Sequence, residues 1–137
     1  MKGENQTDSE TAINIVITNG YEKVIEAVRG LLELEEDLCV IGQATDVPGT
    51  LSVLEDRNPD VLVLGLMSSE KESLNLAGRI SGSFPAIAIV FISLYNDGHY
   101  MREAAEVGVG EYVALSEAGV KLAPAVRAAA KKAGEPV

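Results

Sequence analysis

The chain has 137 residues, enough for one domain with a core of its own and too few for two. Lysine and arginine number 11 against 21 aspartates and glutamates, a net charge of −10, so neither nucleic acid nor an anionic membrane is expected as a direct partner: both require a basic face. Apolar residues make up 47% and aromatics 4%, with no Trp, which predicts a globular core of Val, Ile, Leu and Ala.

Residues 1–12, MKGENQTDSETA, are polar and read as a flexible arm ahead of the domain at 13–134; residues 135–137 read as the start of a linker. The run Ile13 to Ile17 is β-branched and nearly all apolar, as a strand covered on both faces requires. From Tyr21 the spacing turns helical, with Val24, Val28, Leu31 and Leu32 on one face and an end near Glu33 to Glu36. Cys39 to Gly42 is a second strand. Asp46 caps the next helix, with Pro48 in its first turn and Leu51, Val53 and Leu54 as apolar positions. After the turn Asn58-Pro59-Asp60 comes a strand, Val61 to Leu64. Ser69-Glu70-Lys71-Glu72 has the form of a capping box and opens a helix through Leu74, Ala77 and Ile80.

Ile87 to Ile92 is a fourth strand, followed by a helix from Gly98 to Val107 that Gly108 stops. Tyr112 to Leu115 is a fifth, and an Ala-rich helix runs to Ala133, ended by Gly134 and Pro136. Pro124 lacks a backbone donor and clashes with the preceding turn, which predicts a start near Ala123 or a kink there. Strand and helix alternate five times with short connections, so the expected class is α/β, a five-stranded parallel sheet with helices on both faces.

From Ile13 to Gly134 the chain resembles the receiver domain of bacterial response regulators, the CheY-like, doubly wound (βα)5 fold related to flavodoxin. The resemblance rests on Asn58-Pro59-Asp60-Val61-Leu62-Val63-Leu64, on Asp97 to Gly108 with Tyr100, Arg102 and Ala104, and on Glu111-Tyr112-Val113. It implies the strand order 2-1-3-4-5 and a site at the carboxyl ends of the strands. In that family two acids after the first strand and one after the third hold Mg²⁺, the last taking the phosphoryl group, while a Ser or Thr and a Lys bind the phosphate. Here the acid pair falls on Asn19 and Gly20, the phosphoacceptor on Gly65, the Ser/Thr position on Ser93 and the lysine position on Leu115. None of Asn19, Gly20 and Gly65 supplies a carboxylate, so the chain resembles a pseudo-receiver without phosphorylation chemistry, and neither metal nor cofactor is expected. Asp60 does not substitute, because it stands at the start of the third strand, about four residues and so roughly 13 Å from the strand's C-terminal end, where the site lies. Glu22 serves the dipole of the first helix.

Bland readings stand beside these. Asn19-Gly20 is first a turn, Gly65 a residue that permits close backbone approach, and Ser68 and Ser69 are loop and cap residues. Cys39 reads as a buried small apolar residue and His99 as solvated. With one Cys and one His, no disulfide, zinc site or nucleophile–base pair can be assembled, and no glycine-rich phosphate loop is present, so an enzyme is not expected. No segment has the apolar run of a signal peptide or membrane span, which leaves a cytoplasmic domain as the expectation.

Between Glu22 and Glu70 there are 11 acids and 3 bases, whereas Lys121, Arg127, Lys131 and Lys132 make the last helix basic. In the resembled family the fourth helix, fifth strand and fifth helix form the contact face, which here draws on Tyr100, Met101, Tyr112, Val113 and Arg127. The expected function is a phosphorylation-independent signalling or scaffolding module acting by protein contact, as a homodimer. The hosts implied by the resemblance are a LuxR/NarL-type regulator or a pilus-assembly ATPase of the CpaE/TadZ type. The alternative is a small-ligand sensor using a vacated pocket of Asn19, Gly20, Gly65 and Ser93.

Overall fold

Alternating side chains in five short strands divide the apolar residues between two faces of one sheet, and this division organises the whole molecule. The computed structural model describes residues 12–94 and 97–134. The expected arm, apart from Ala12, and the expected linker lie outside those residues. The strands are β1 (Ile13–Thr18), β2 (Leu38–Ala44), β3 (Val61–Leu64), β4 (Ala88–Ser93) and β5 (Glu111–Ala114). The helices are α1 (Glu22–Leu32), α2 (Val47–Arg57), α3 (Glu70–Ser83), α4 (Gly98–Glu106) and α5 (Ala118–Gly134). Every strand pair is parallel and the order is β2-β1-β3-β4-β5, as expected for a CheY-like receiver fold.

On one face Ile15, Ile17, Val61, Val63, Val90 and Ile92 pack against Ile25, Val28 and Leu32 of α1 and Leu122 and Val126 of α5. On the other, Val16, Leu62, Leu64, Ile89 and Phe91 meet Leu54 of α2, Leu76, Ala77 and Ile80 of α3, and Tyr100 and Ala104 of α4. All four residues of β3 are buried, because this strand has a partner strand on each side and helices on both faces.

Local chemistry sets the helix ends. Asp46 Oδ1 accepts from Gly49 N–H at 2.7 Å, and Asn58 ends α2 in the left-handed region at φ 49°. Asp97 Oδ1 caps α4 through His99 N–H at 2.9 Å, and Gly108, at φ 106°, turns the chain out of that helix. The capping box at α3 is only half as expected. Ser69 Oγ accepts from Glu72 N–H at 3.1 Å, but the Glu72 carboxylate turns to Ser68, accepting from its N–H and its hydroxyl at 2.8 Å each.

Three other expectations are corrected. Leu115 does not close β5; it opens a 3-10 turn, Leu115–Glu117, that leads directly into α5. That helix begins at Ala118, not near Ala123, and passes through Pro124. Burial of Ala118 and Leu122 draws the early turns onto the sheet, while Pro124 faces solvent, and its missing donor orphans the carbonyl of Val120, itself 79% exposed and open to water. Cys39 is half-buried, because β2 is an edge strand.

Arg127 clasps α5 to the turn before β2. Its guanidinium donates to Asp37 at 2.8 and 2.9 Å and to Glu35 at 2.6 Å. These hydrogen bonds hold the Asp37 carboxyl below the usual carboxylate range against a small opposing effect of burial. The carboxylate's folded pKa is depressed, so the clasp contributes fully above the unfolded value of about 4 and is lost as pH falls through the folded one. Arg127→Met is therefore expected to lower Tm by a few degrees at pH 7, the clasp being largely solvent-exposed, and by much less at about pH 2, as read by thermal melts of both proteins.

Candidate functional site

The ends of β1, β3, β4 and β5 bring Asn19, Gly65, Ser93 and Leu115 to the same edge of the sheet. Gly20 N–H donates to Leu66 O at 2.8 Å and Gly65 N–H to Thr18 O at 2.8 Å, which zips the loop after β1 to the loop after β3. Asn19 is 4% exposed, and its Oδ1 accepts from Tyr21 N–H at 2.9 Å, closing the turn into α1. A β-carbon at position 65 would fall on the Asn19 amide nitrogen, and one at position 20 would lie 3.2 Å from Leu66 O. A side chain at either position would thus press on its neighbour, and the Asn19 amide occupies the space above Gly65.

Among the spaces bordered by described residues, Asn19, Gly20, Gly65 and Ser93 do not share one cavity. Asn19 and Ser93 border a crevice of about 40 Å³ with Tyr21, Leu66 and Leu115. Gly65 and Ser93 border a separate cavity of about 120 Å³ with Leu66, Phe91 and Tyr100. Gly20 lies on an outer cleft of about 400 Å³ beside Asp46, Pro48 and Glu72. The residue types at the strand ends are an amide, two glycines, a hydroxyl and a leucine; this set does not fit Mg²⁺, a hard cation that needs carboxylate oxygens. Among the described residues no group of three His, Cys, Asp or Glu side chains could hold a metal ion. Asp60 sits at the opposite end of the sheet, where its carboxylate accepts from Asn14 N–H at 2.8 Å. Glu22 is exposed in the first turn of α1, and His99 is exposed in the first turn of α4, 3.6 Å from Glu103.

Two tyrosines connect this edge to α4 and β5. The Tyr112 hydroxyl is hydrogen-bonded to Ser93, and the Tyr100 hydroxyl donates to the Glu70 carbonyl at 3.3 Å, with the Ser73 side chain close by. Ser73 is buried; it accepts from Met67 N–H at 3.0 Å and reaches Gly65 O at 3.3 Å. Tyr100 and Tyr112 meet edge to face at 6.0 Å, and both rings lie against Phe91, at 5.8 and 6.4 Å. None of this polar linkage was legible in the sequence, where Ser73 is an ordinary helix residue; its spacing of four from Ser69 was the one available signal.

The expected contact face is also redrawn. Tyr100 and Val113 are 6% and 3% exposed and belong to the core, and Arg127 is turned toward α1 and β2. Met101 is exposed and Tyr112 half-buried. Missing from the expectation were Val120, Lys121 and Pro124, which form a groove of about 290 Å³ with Glu111 and Tyr112. The register of α5 carried that signal, since Ala118, Leu122, Ala125, Val126 and Ala129 point inward and leave Val120 outward.

No family model matches the chain. It is 32% identical over 117 residues to the oxygen regulatory protein NreC of Staphylococcus epidermidis, covering 84% of this chain and 53% of that protein. It is 21% identical over 109 residues to the transcriptional regulatory protein DegU of Brevibacillus brevis, covering 80% and 46% respectively. The chain therefore spans about half the length of these relatives. A LuxR-family two-component response regulator from Aurantimonas sp. shares the fold with a TM-score of 0.81 at 20% identity, over 88% of this chain and 86% of that one. The chain has the CheY-like receiver fold, and its sequence is similar to those of the regulatory proteins NreC and DegU. No helix among the described residues is long and apolar enough to cross a membrane.

Two measurements check this geometry. Gly65→Ala is expected to cost about 1–3 kcal/mol in denaturant unfolding, and Asn19→Ala to relieve at least about 1 kcal/mol of it in the double mutant; additive effects would exclude the contact. Burial raises the Tyr100 hydroxyl to about 12, and Tyr112 shifts upward for the same principal reason. The unfolded chain releases these protons first, so stability is expected to fall as pH rises from about 10 toward 12, with the phenolate absorbance of these two rings, read by difference against their Phe variants, appearing as the protein unfolds.

Proposed function

We propose that this domain is a receiver-like contact module of a longer regulator, and that it associates with a second copy of itself without phosphorylation. The observation that carries this reading is the Asn19 amide seated over Gly65, where a phosphoacceptor carboxylate and its metal would have to be. Ser93, the residue whose type suits a phosphate, is already bonded to Tyr112, so the arrangement beside β5 needs no added group to hold it. NreC and DegU are named as regulatory proteins, and the proposed setting here is similar: the domain takes part in regulation by contact, with no catalytic step and no nucleic acid or membrane of its own.

The surface favoured for self-association is the groove of Glu111, Tyr112, Val120, Lys121 and Pro124. Val120 offers an apolar centre, and Glu117–Lys121 at 3.2 Å and Lys132–Glu111 at 3.6 Å place both charge signs side by side. A two-fold contact needs such a patch, because it must complement itself.

Light scattering across a concentration series, without phosphodonor, is expected to show a dimer at micromolar concentration. Val120→Glu, at a solvent-facing position, should weaken it about tenfold or more while leaving Tm unchanged. A strict monomer overturns self-association. Amide shifts on adding beryllofluoride and Mg²⁺ would overturn independence from phosphorylation.

A further inference from the structure

We infer that the cavity between the ends of β3 and β4 and the first turn of α4 binds a small organic amine with a single-ring or comparably sized apolar body. This goes beyond the contact reading and does not depend on it. The cavity holds about 120 Å³ and is walled by Leu66, Phe91, Ile92, Leu94 and Tyr100. Its size suits one ring, since a comparable apolar cavity of about 150 Å³ accepts benzene. Its walls are preformed: the Phe91 and Tyr100 rings lie tilted together with centroids 5.8 Å apart, the Tyr100 hydroxyl donates to the Glu70 carbonyl, Ser73 donates to the Gly65 carbonyl, and Ser93 is bonded to Tyr112.

The charge of the ligand follows from the surroundings. Among the described lining residues there is no cation, so a phosphate or carboxylate would enter without a counter-charge. Glu70 is the one carboxylate among the described lining residues, at the start of α3. Its charge reaches the Tyr100 and Tyr112 hydroxyls, with Glu103 acting on the first and Asp97 on the second, so the field there is negative. Aromatic walls and a carboxylate together favour an ammonium group on an apolar body.

The test is an amide-resolved NMR titration of the full chain with benzylamine, benzyl alcohol and benzoate at millimolar concentration. Benzylamine is expected to shift Leu66, Ile92, Ser93 and Tyr100 saturably, with benzyl alcohol about fivefold weaker, as one exposed ion pair allows, and benzoate silent. Glu70→Gln, at an exposed helix position, should bring amine and alcohol within about twofold while leaving Tm unchanged. Leu66→Trp, which fills the cavity, should abolish the shifts. Equal binding of benzoate, shifts scattered over the surface, or no saturable binding by any probe overturns the inference. None of these outcomes bears on the dimer measured by light scattering.

Discussion

The loop after β1 and the loop after β3 can approach as closely as they do only because position 65 has no side chain. The Asn19 amide lies where a β-carbon would be, and crossed backbone hydrogen bonds from Gly20 to Leu66 and from Gly65 to Thr18 hold the two loops in that register. In a receiver fold this edge of the sheet is where charge collects, and mutual repulsion among carboxylates makes a cation necessary there. Here an uncharged amide, itself bonded to Tyr21 N–H, fills the same place and no such repulsion arises. The loops after β1 and β3 are therefore held together by packing and backbone hydrogen bonds.

Closure on the Asn19 side leaves space on the other. Toward β4 and α4 the residues are larger and aromatic, and the apolar cavity beside Gly65 is what remains between Phe91, Tyr100 and the chain of β3. Two hydroxyl links, Tyr100 to the Glu70 carbonyl and Ser93 with Tyr112, join that cavity to α4 and β5. The same hydroxyls satisfy buried polar groups that would otherwise weaken the core. A change at the strand ends thus has a short physical route to the groove beside Val120, through two rings in edge-to-face contact.

Much of the architecture was legible from residue patterns. Val61 to Leu64 reads as a doubly covered strand, Asp46 and Asp97 as helix starts, and Gly108 as a helix stop, because each of these features is decided within a few residues. Pro124 misled for the same reason. Its local cost is real, but burial of Ala118 and Leu122 on the far side of the helix outweighs it, and solvent serves the orphaned carbonyl. Tyr100 and Val113 looked like surface residues by type and are core residues by position, whereas Val120, an ordinary helix apolar residue by type, is exposed.

The sequence by itself determined the alternation of strand and helix, the apolar strands, the caps, and the absence of carboxylates at three positions, since these depend on residue type and near-neighbour spacing. Only the tertiary structure decided that Asn19 fills the space over Gly65, that the expected pocket residues divide among three spaces bordered by described residues, that Arg127 reaches Asp37 some 90 residues away, and that the Glu70 carbonyl and the Ser93 hydroxyl hold the tyrosines of α4 and β5. Each of these joins segments remote in the chain. Such contacts are set by how helices seat on the sheet, a matter of shape and packing that local propensity does not encode.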